Sequence, residues 1–329
     1  MTFRVPVVLS LLSSLAFAQQ ESAPVDFQFD GSGLQFDGLR TLADLRGRPV
    51  LIDFWGINCG PCIGAAVPGS VKEQAGLGDD LAVVFVESQG HPISEVEKFA
   101  MKRGWLGGLS YWTTERTMAM QGNSLPHAIL LDVEGRPILE GNPLSMSKQF
   151  EEALQAQLAI RRKGPAELPK DLRPIWVDVA HGRYSDAIAA AQKIVDRHRD
   201  DARSEDLVKG ATALMARARS AAEAAITRTG SMIDSGALMR ADAAIDALVH
   251  GVDGIDDLES AVKSLRERME SDELAAERDA AKAFAKLERG MRDKGIDEAT
   301  PRLLTRFAEK HRGTRTAERA AHLAALLAD

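Results

Sequence analysis

Residues 50–62 read Val50-Leu-Ile-Asp-Phe-Trp-Gly-Ile-Asn-Cys-Gly-Pro-Cys62. The apolar run from Val50 to Trp55 is broken only by Asp53 and predicts a buried central strand. It passes through Gly56 into two thiols three positions apart, where a helix is expected to begin. Cys59 and Cys62 are the only cysteines in 329 residues. A helix N-terminus offers unpaired N–H groups and a positive dipole end, and so favours a thiolate. One sulfur pair so placed is the minimal equipment for thiol–disulfide exchange. Cys59 is the expected nucleophile. Cys62, one turn further in, is expected to be less exposed and to resolve the mixed disulfide. Gly60 permits the tight turn and Pro61 removes a backbone donor. A bridge closing so short a loop restrains little of the unfolded chain, so exchange explains the pair better than stapling.

Other residues are read around this turn. Asp53 lies six residues before Cys59 in a strand that should be buried, where desolvation raises a carboxyl pKa. Two roles stay open for it: a water-linked proton acceptor for Cys62, or a buried polar group that is simply paired. Ser124-Leu125-Pro126 precedes an expected strand, and a proline there is a candidate cis residue. His127, next to it, should lie near the thiols and either tunes their pKa or is merely accommodated. Trp55 is expected to pack beside the turn as core. His91-Pro92 opens a loop without an assigned role. A structural zinc needs about four ligands; there is no third cysteine, and the seven histidines contain no His-x3-5-His pair. Covalent haem attachment needs a histidine after the second cysteine, and Ile63 stands there. No metal is expected, and no cofactor besides the redox-active disulfide.

The net charge of −7 gives no basic excess to hold nucleic acid. Residues 1–18 read as an export signal: Arg4, an apolar stretch from Val5 to Phe17, and Ala16-Phe17-Ala18 as a cleavage site. The stretch is too short to span a bilayer. No cysteine follows it to carry a lipid anchor. The bacterial periplasm or cell exterior is the expected address.

The mature chain divides near Gly164-Pro165. In residues 19–163, Val25 to Phe29 and Leu34 to Phe36 suggest a hairpin about Gly31-Ser-Gly33, and Thr41 to Leu45 a short helical turn. Strands are expected at Val50–Trp55, Leu81–Glu87, Ala128–Asp132 and Pro137–Glu140. Helices are expected from Cys59 towards Leu77, at Ser94–Arg103 and at Ser147–Ile160. This alternation implies an α/β mixed sheet with helices on both faces. Residues 164–329 read as all-α. Gly182-Arg-Tyr-Ser-Asp-Ala187 has the spacing of a tetratricopeptide turn and second helix, without a clear second copy. Leu207, Ala211, Leu214, Ala218, Ala221 and Ala225 form one heptad-like seam. Ile255, Leu258, Val262, Leu265 and Met269 form another. Such seams serve either an ordinary antiparallel bundle or a dimerisation or client-docking module.

Residues from about Val25 to Ile160 resemble the thioredoxin superfamily, in particular its exported TlpA/ResA-type thiol–disulfide oxidoreductases. The resemblance rests on Leu42-Ala-Asp-Leu-Arg-Gly-Arg-Pro-Val-Leu-Ile-Asp-Phe-Trp55, Cys59-Gly-Pro-Cys62, Leu125-Pro126 and Leu130-Leu-Asp-Val-Glu-Gly-Arg136. It implies a nucleophilic Cys59, a resolving Cys62, and a cis-proline loop at Leu125-Pro126 packed against them and touching clients. Asp53 matches the thioredoxin carboxylate that assists deprotonation. The resemblance further implies exported protein clients with disulfides and a membrane thiol-reductase as electron donor. A homodimer through the C-terminal helices is the alternative setting, with the redox domain as a sensing or isomerase accessory. The segment from about Leu81 to Gly122 looks like the strand–helix insert of the TlpA type. Three departures stand out. Asn58 replaces a common Trp before the first cysteine. Gly64-Ala65-Ala66 lacks the acidic residue often found in that helix turn. Pro68 lies nine residues after Cys59 where the family usually has eight.

Overall fold

The computed structural model describes residues 23–328. The export signal read at 1–18 lies outside them. A five-stranded sheet is built from β1 (Val50–Trp55), β2 (Ala82–Glu87), β3 (Ser110–Thr113), β4 (His127–Leu131) and β5 (Pro137–Gly141), in the order β3-β2-β1-β4-β5. β1, β2 and β3 run parallel; β4 and β5 are antiparallel to their neighbours. β1 is central and its six residues are all buried. Strand alternation sends Leu51, Asp53 and Trp55 to one face and Val50, Ile52 and Phe54 to the other.

The first face packs against α1 (Val67–Leu77), α2 (Ile93–Lys102) and α3 (Ser147–Lys163) through Val67, Val96, Ala100, Leu154 and Leu158. Both cysteines belong to this layer. The other face departs from the expectation of helices on both sides. It is covered by the chain before β1, through Phe29, Phe36, Leu39, Leu42 and Leu45, the last two on a short 3-10 turn. The expected hairpin between 25–29 and 34–36 does not form. Gln28 bridges Thr41, and Leu34 bridges Trp112 on β3. Phe29 and Phe36 enter the same apolar layer with ring centres 4.7 Å apart, which leaves the backbone at Leu34 to pair with the open sheet edge.

β3 was not expected from the sequence. Four residues, Ser-Tyr-Trp-Thr, give too short a run to stand out, yet all four are buried. The segment expected as an insert is also more integral than that reading. β2 pairs with β1 along its whole length, so only α2 and β3 extend the sheet outward.

Every element after Gly164 is helical. α4 (Arg173–Ala180), α5 (Tyr184–His198), α6 (Glu205–Ser235) and α7 (Leu238–Gly251) are followed by α8 (Asp256–Glu270), α9 (Ala275–Lys294), α10 (Thr300–Lys310) and α11 (Arg315–Ala328). Both seams are buried inside the chain. Ala211, Leu214 and Ala218 of α6 pack against Ile175, Trp176 and Ala187, while Leu258, Val262 and Met269 of α8 pack with Ile233 and Ile245. The tetratricopeptide-like stretch forms the turn between α4 and α5, with Ala187 fully buried. No described helix is long and apolar enough to cross a membrane.

The helices meet the sheet domain mainly at the N-terminal end of β1. Arg228 of α6 donates to the Asp44 carbonyl at 2.9 Å, Arg217 pairs with Glu134 at 2.8 Å, and Arg240 of α7 pairs with Asp37 at 2.5 Å. Along α2, the buried Glu97 accepts from Arg319 and from His322 of α11. The anchor between α3 and α4 is Arg161, buried and bonded to Asp80, the Gly47 carbonyl and the Ala180 carbonyl. Arg161→Ala orphans both carbonyls while Asp80 keeps Arg162. A loss of about 2 kcal/mol is expected, measured by urea unfolding. An unchanged midpoint would contradict this anchoring role.

Candidate functional site

The disulfide turn leaves the C-terminal end of β1, opposite the end that meets α6. Cys59 and Cys62 are bonded, with Cα atoms 5.2 Å apart. Cys59 keeps 8% of its surface exposed and Cys62 none. The intervening Gly60 and Pro61 are exposed. The Cys62 N–H donates to Cys59 Sγ at 3.3 Å, the contact that stabilises negative charge on that sulfur when the bond opens.

The helical run from Gly60 starts irregularly. Cys62–Ala66 is a π-helical turn that passes into α1, with Pro68 in the first turn of α1. A π-turn holds one residue more than an α-turn at the same advance. It therefore absorbs the one-residue shift of Pro68. The helix then resumes with Val67, Ser70 and Gln74 on its buried face.

Asp53 is fully buried on the face of β1 that carries the disulfide. Ser70 Oγ donates to its Oδ2 at 2.8 Å, and Oδ1 has no partner among the described residues. Burial pushes its carboxyl up to about 7, and the Ser70 bond opposes this in part. The sequence reading missed Ser70. Its only signal was a polar residue at the inward spacing of α1.

Pro126 is cis after Leu125 and is buried. The register Phe54↔His127 places it level with Trp55, where the disulfide turn begins. Leu125 packs against the cluster that holds the cysteines. Trp55 is fully buried there, with its ring 5.6 Å from Trp112 and 6.0 Å from Trp105.

His127 departs from expectation. As the partner of Phe54 it faces the other side of the sheet, with Nε2 at 2.9 Å from Glu140 Oε1. Two-residue alternation decides this: next to the proline in sequence, the imidazole is still turned away from the thiols. The histidine that does reach the turn is His91, which the sequence left without a role. Its Nε2 meets Asn58 Nδ2 at 2.9 Å, and its Nδ1 meets Glu95 at 2.7 Å. Gln89 completes the support by accepting the Asn58 N–H at 2.8 Å. A Cβ on Gly56 would stand 2.2 Å from the Gln89 side chain, so a larger residue there displaces the amide that holds Asn58. Glu87 fixes this loop by accepting the N–H groups of Gln89, Gly90 and His91. The strand-to-helix connection from β2 to α2 thus props the residue before Cys59.

The β1–β2–β3 parallel half, the antiparallel β4–β5 hairpin, the Cys-x-x-Cys turn and the facing cis-proline are now in place. The fold is thioredoxin-like. No protein-family model matches the chain, and no curated protein matches it. Among solved structures it is similar to a thioredoxin-like superfamily protein, at 21% identity over 42% of this chain and 96% of that one, TM-score 0.35. A DsbF homologue from Corynebacterium diphtheriae aligns at 22% over 41% and 90%, TM-score 0.33. A thiol-disulfide isomerase from Corynebacterium glutamicum aligns at 18% over 42% and 96%, TM-score 0.32.

Proposed function

We propose that this chain is an exported thiol–disulfide oxidoreductase of TlpA/ResA type that reduces disulfides in protein clients. The observation that carries the reading is the asymmetry of the sulfur pair: Cys59 at the helix start keeps 8% of its surface exposed, Cys62 keeps none, and the buried Asp53 lies on the same face of β1. In the reduced protein the Cys59 thiolate attacks a client disulfide. A Cys59–client mixed disulfide forms, and one client sulfur leaves as thiolate. Asp53 accepts the proton of Cys62, whose sulfur then attacks Cys59 Sγ. The Cys59–Cys62 bond forms, and the second client sulfur leaves. Two electrons have passed to the client, and the protein ends in the disulfide state seen in the structure.

Gly60, Pro61 and Leu125 are the client-facing surface in this reading, with the buried cis-Pro126 shaping the loop behind them and Asn58 at its margin. A membrane thiol-reductase would restore the dithiol. The reductive direction is favoured by the Cys-Gly-Pro-Cys turn, which thioredoxins use. The test is the equilibrium reduction potential of the pair against a glutathione or dithiothreitol series. A value near thioredoxin's, roughly −270 mV, is expected. A value of roughly −120 to −180 mV would replace the reductant reading with an oxidase or isomerase.

A further inference from the structure

A groove of about 630 Å³ lies between the sheet domain and the C-terminal helices, apart from the disulfide. One wall is the chain at Gly33–Asp37 and the loop 104–108. The other is α9 with the N-terminal ends of α7 and α11. Its size is that of a small-molecule site. Its lining has two characters. Met101, Leu106, Phe284, Met291, Ile296 and Leu323 give it an apolar floor.

The charged groups are mostly cationic. Of the four lining arginines, Arg240 is paired with Asp37 and Arg319 with Glu97. Arg292 and Arg315 have no carboxylate within salt-bridge distance among the described residues, and both are exposed. The remaining acid, Glu288, lies one helical turn before Arg292 on α9; burial pushes its carboxyl above the ordinary range, and Arg319, Arg292 and Arg240 oppose that shift. The groove therefore sets four guanidinium groups against two carboxylates beside an apolar floor, in a chain whose net charge is −7. A guanidinium fork takes a carboxylate with two parallel hydrogen bonds, and the floor takes a hydrocarbon body.

We propose that this groove binds an amphipathic carboxylate, with its acid group on Arg292 and Arg315 and its alkyl part on the Phe284–Leu323 floor. The site is independent of the redox chemistry. Its test is calorimetric titration of the full chain with octanoate, octanol and inorganic phosphate. Saturable 1:1 binding of octanoate is expected, at least about tenfold tighter than either comparison ligand, since each removes one half of the recognition. Arg292→Glu and Arg315→Glu should each weaken octanoate by about tenfold or more, the size of one charge-assisted contact. Neither change should alter the melting temperature, because both side chains are exposed and unpaired. Absence of saturable octanoate binding up to a few millimolar would overturn the proposal. Octanol binding as tight as octanoate, or no effect of either charge reversal in folded protein, would do the same.

Discussion

Cys59→Ser is expected to abolish turnover in a disulfide-reduction assay, a loss of at least about a thousandfold. A serine hydroxyl at neutral pH is neither ionised nor able to form the mixed disulfide, so no alternative nucleophile carries the first step. Cys62 cannot substitute, because none of its surface is exposed. The partner substitution gives a different signature. Cys62→Ser leaves the nucleophile in place and removes the group that releases it, so a covalent Cys59–client adduct should accumulate and be cleaved by dithiothreitol. Non-reducing gels with a disulfide-containing substrate read both outcomes. Residual turnover in the Cys59 variant, or equal trapping by both variants, would refute the assigned order of attack.

Asp53→Asn is expected to make the protein more stable and slower. The carboxyl pKa is 3.8 when exposed and about 7 in the fold. Below pH 4 it is neutral in both states and contributes nothing. Between pH 4 and 7 the unfolded chain is ionised while the folded one holds its proton, so stability falls by about 1.4 kcal/mol per pH unit. Above pH 7 both states are ionised and the deficit is constant, about 4 kcal/mol. Asparagine removes the charge and leaves its own buried amide to satisfy, which returns about 1 kcal/mol of the gain. A net stabilisation of about 3 kcal/mol at pH 8, vanishing between about pH 4 and 5 and reversing to a deficit of about 1 kcal/mol below that, is expected in urea unfolding. Equal stability of the two proteins at pH 8 would show that the carboxylate is not desolvated as described. The kinetic counterpart is slower resolution of the mixed disulfide, on the order of a hundredfold, as a positioned base is lost. Ser70→Ala provides a graded control. It removes the bond that holds the pKa down, so the pH at which resolution turns on should move upward.

What could be read from the chain depended on how local the determining physics was. The strand Val50–Trp55, the sulfur pair and the helix behind it lie within one contiguous stretch, and the apolar run and turn residues specify them almost unaided. The π-turn over Cys62–Ala66 was half legible, as a proline one position late. β3 was not legible, because four residues carry too little pattern and owe their strand to the open edge of β2. The covering of the second sheet face was misread for a related reason. A helix and an extended segment bury an apolar face equally well, and the choice fell to where Phe29 and Phe36 fit.

The same division holds at the site. The sulfur pair, the buried carboxylate on the strand before it and the helical nature of residues after Gly164 were determined by the sequence alone, since each follows from residue type and near-neighbour spacing. Which histidine attends the turn was decided only by tertiary structure. His127 is adjacent to the cis-proline but alternation turns it away, while His91 arrives from the β2–α2 loop 33 positions beyond Asn58. Ser70 beneath Asp53, the inward use of both helical seams and the arginine-lined groove are likewise products of packing. They join residues far apart in the chain, and nothing in the local sequence fixes which distant surface a side chain will meet.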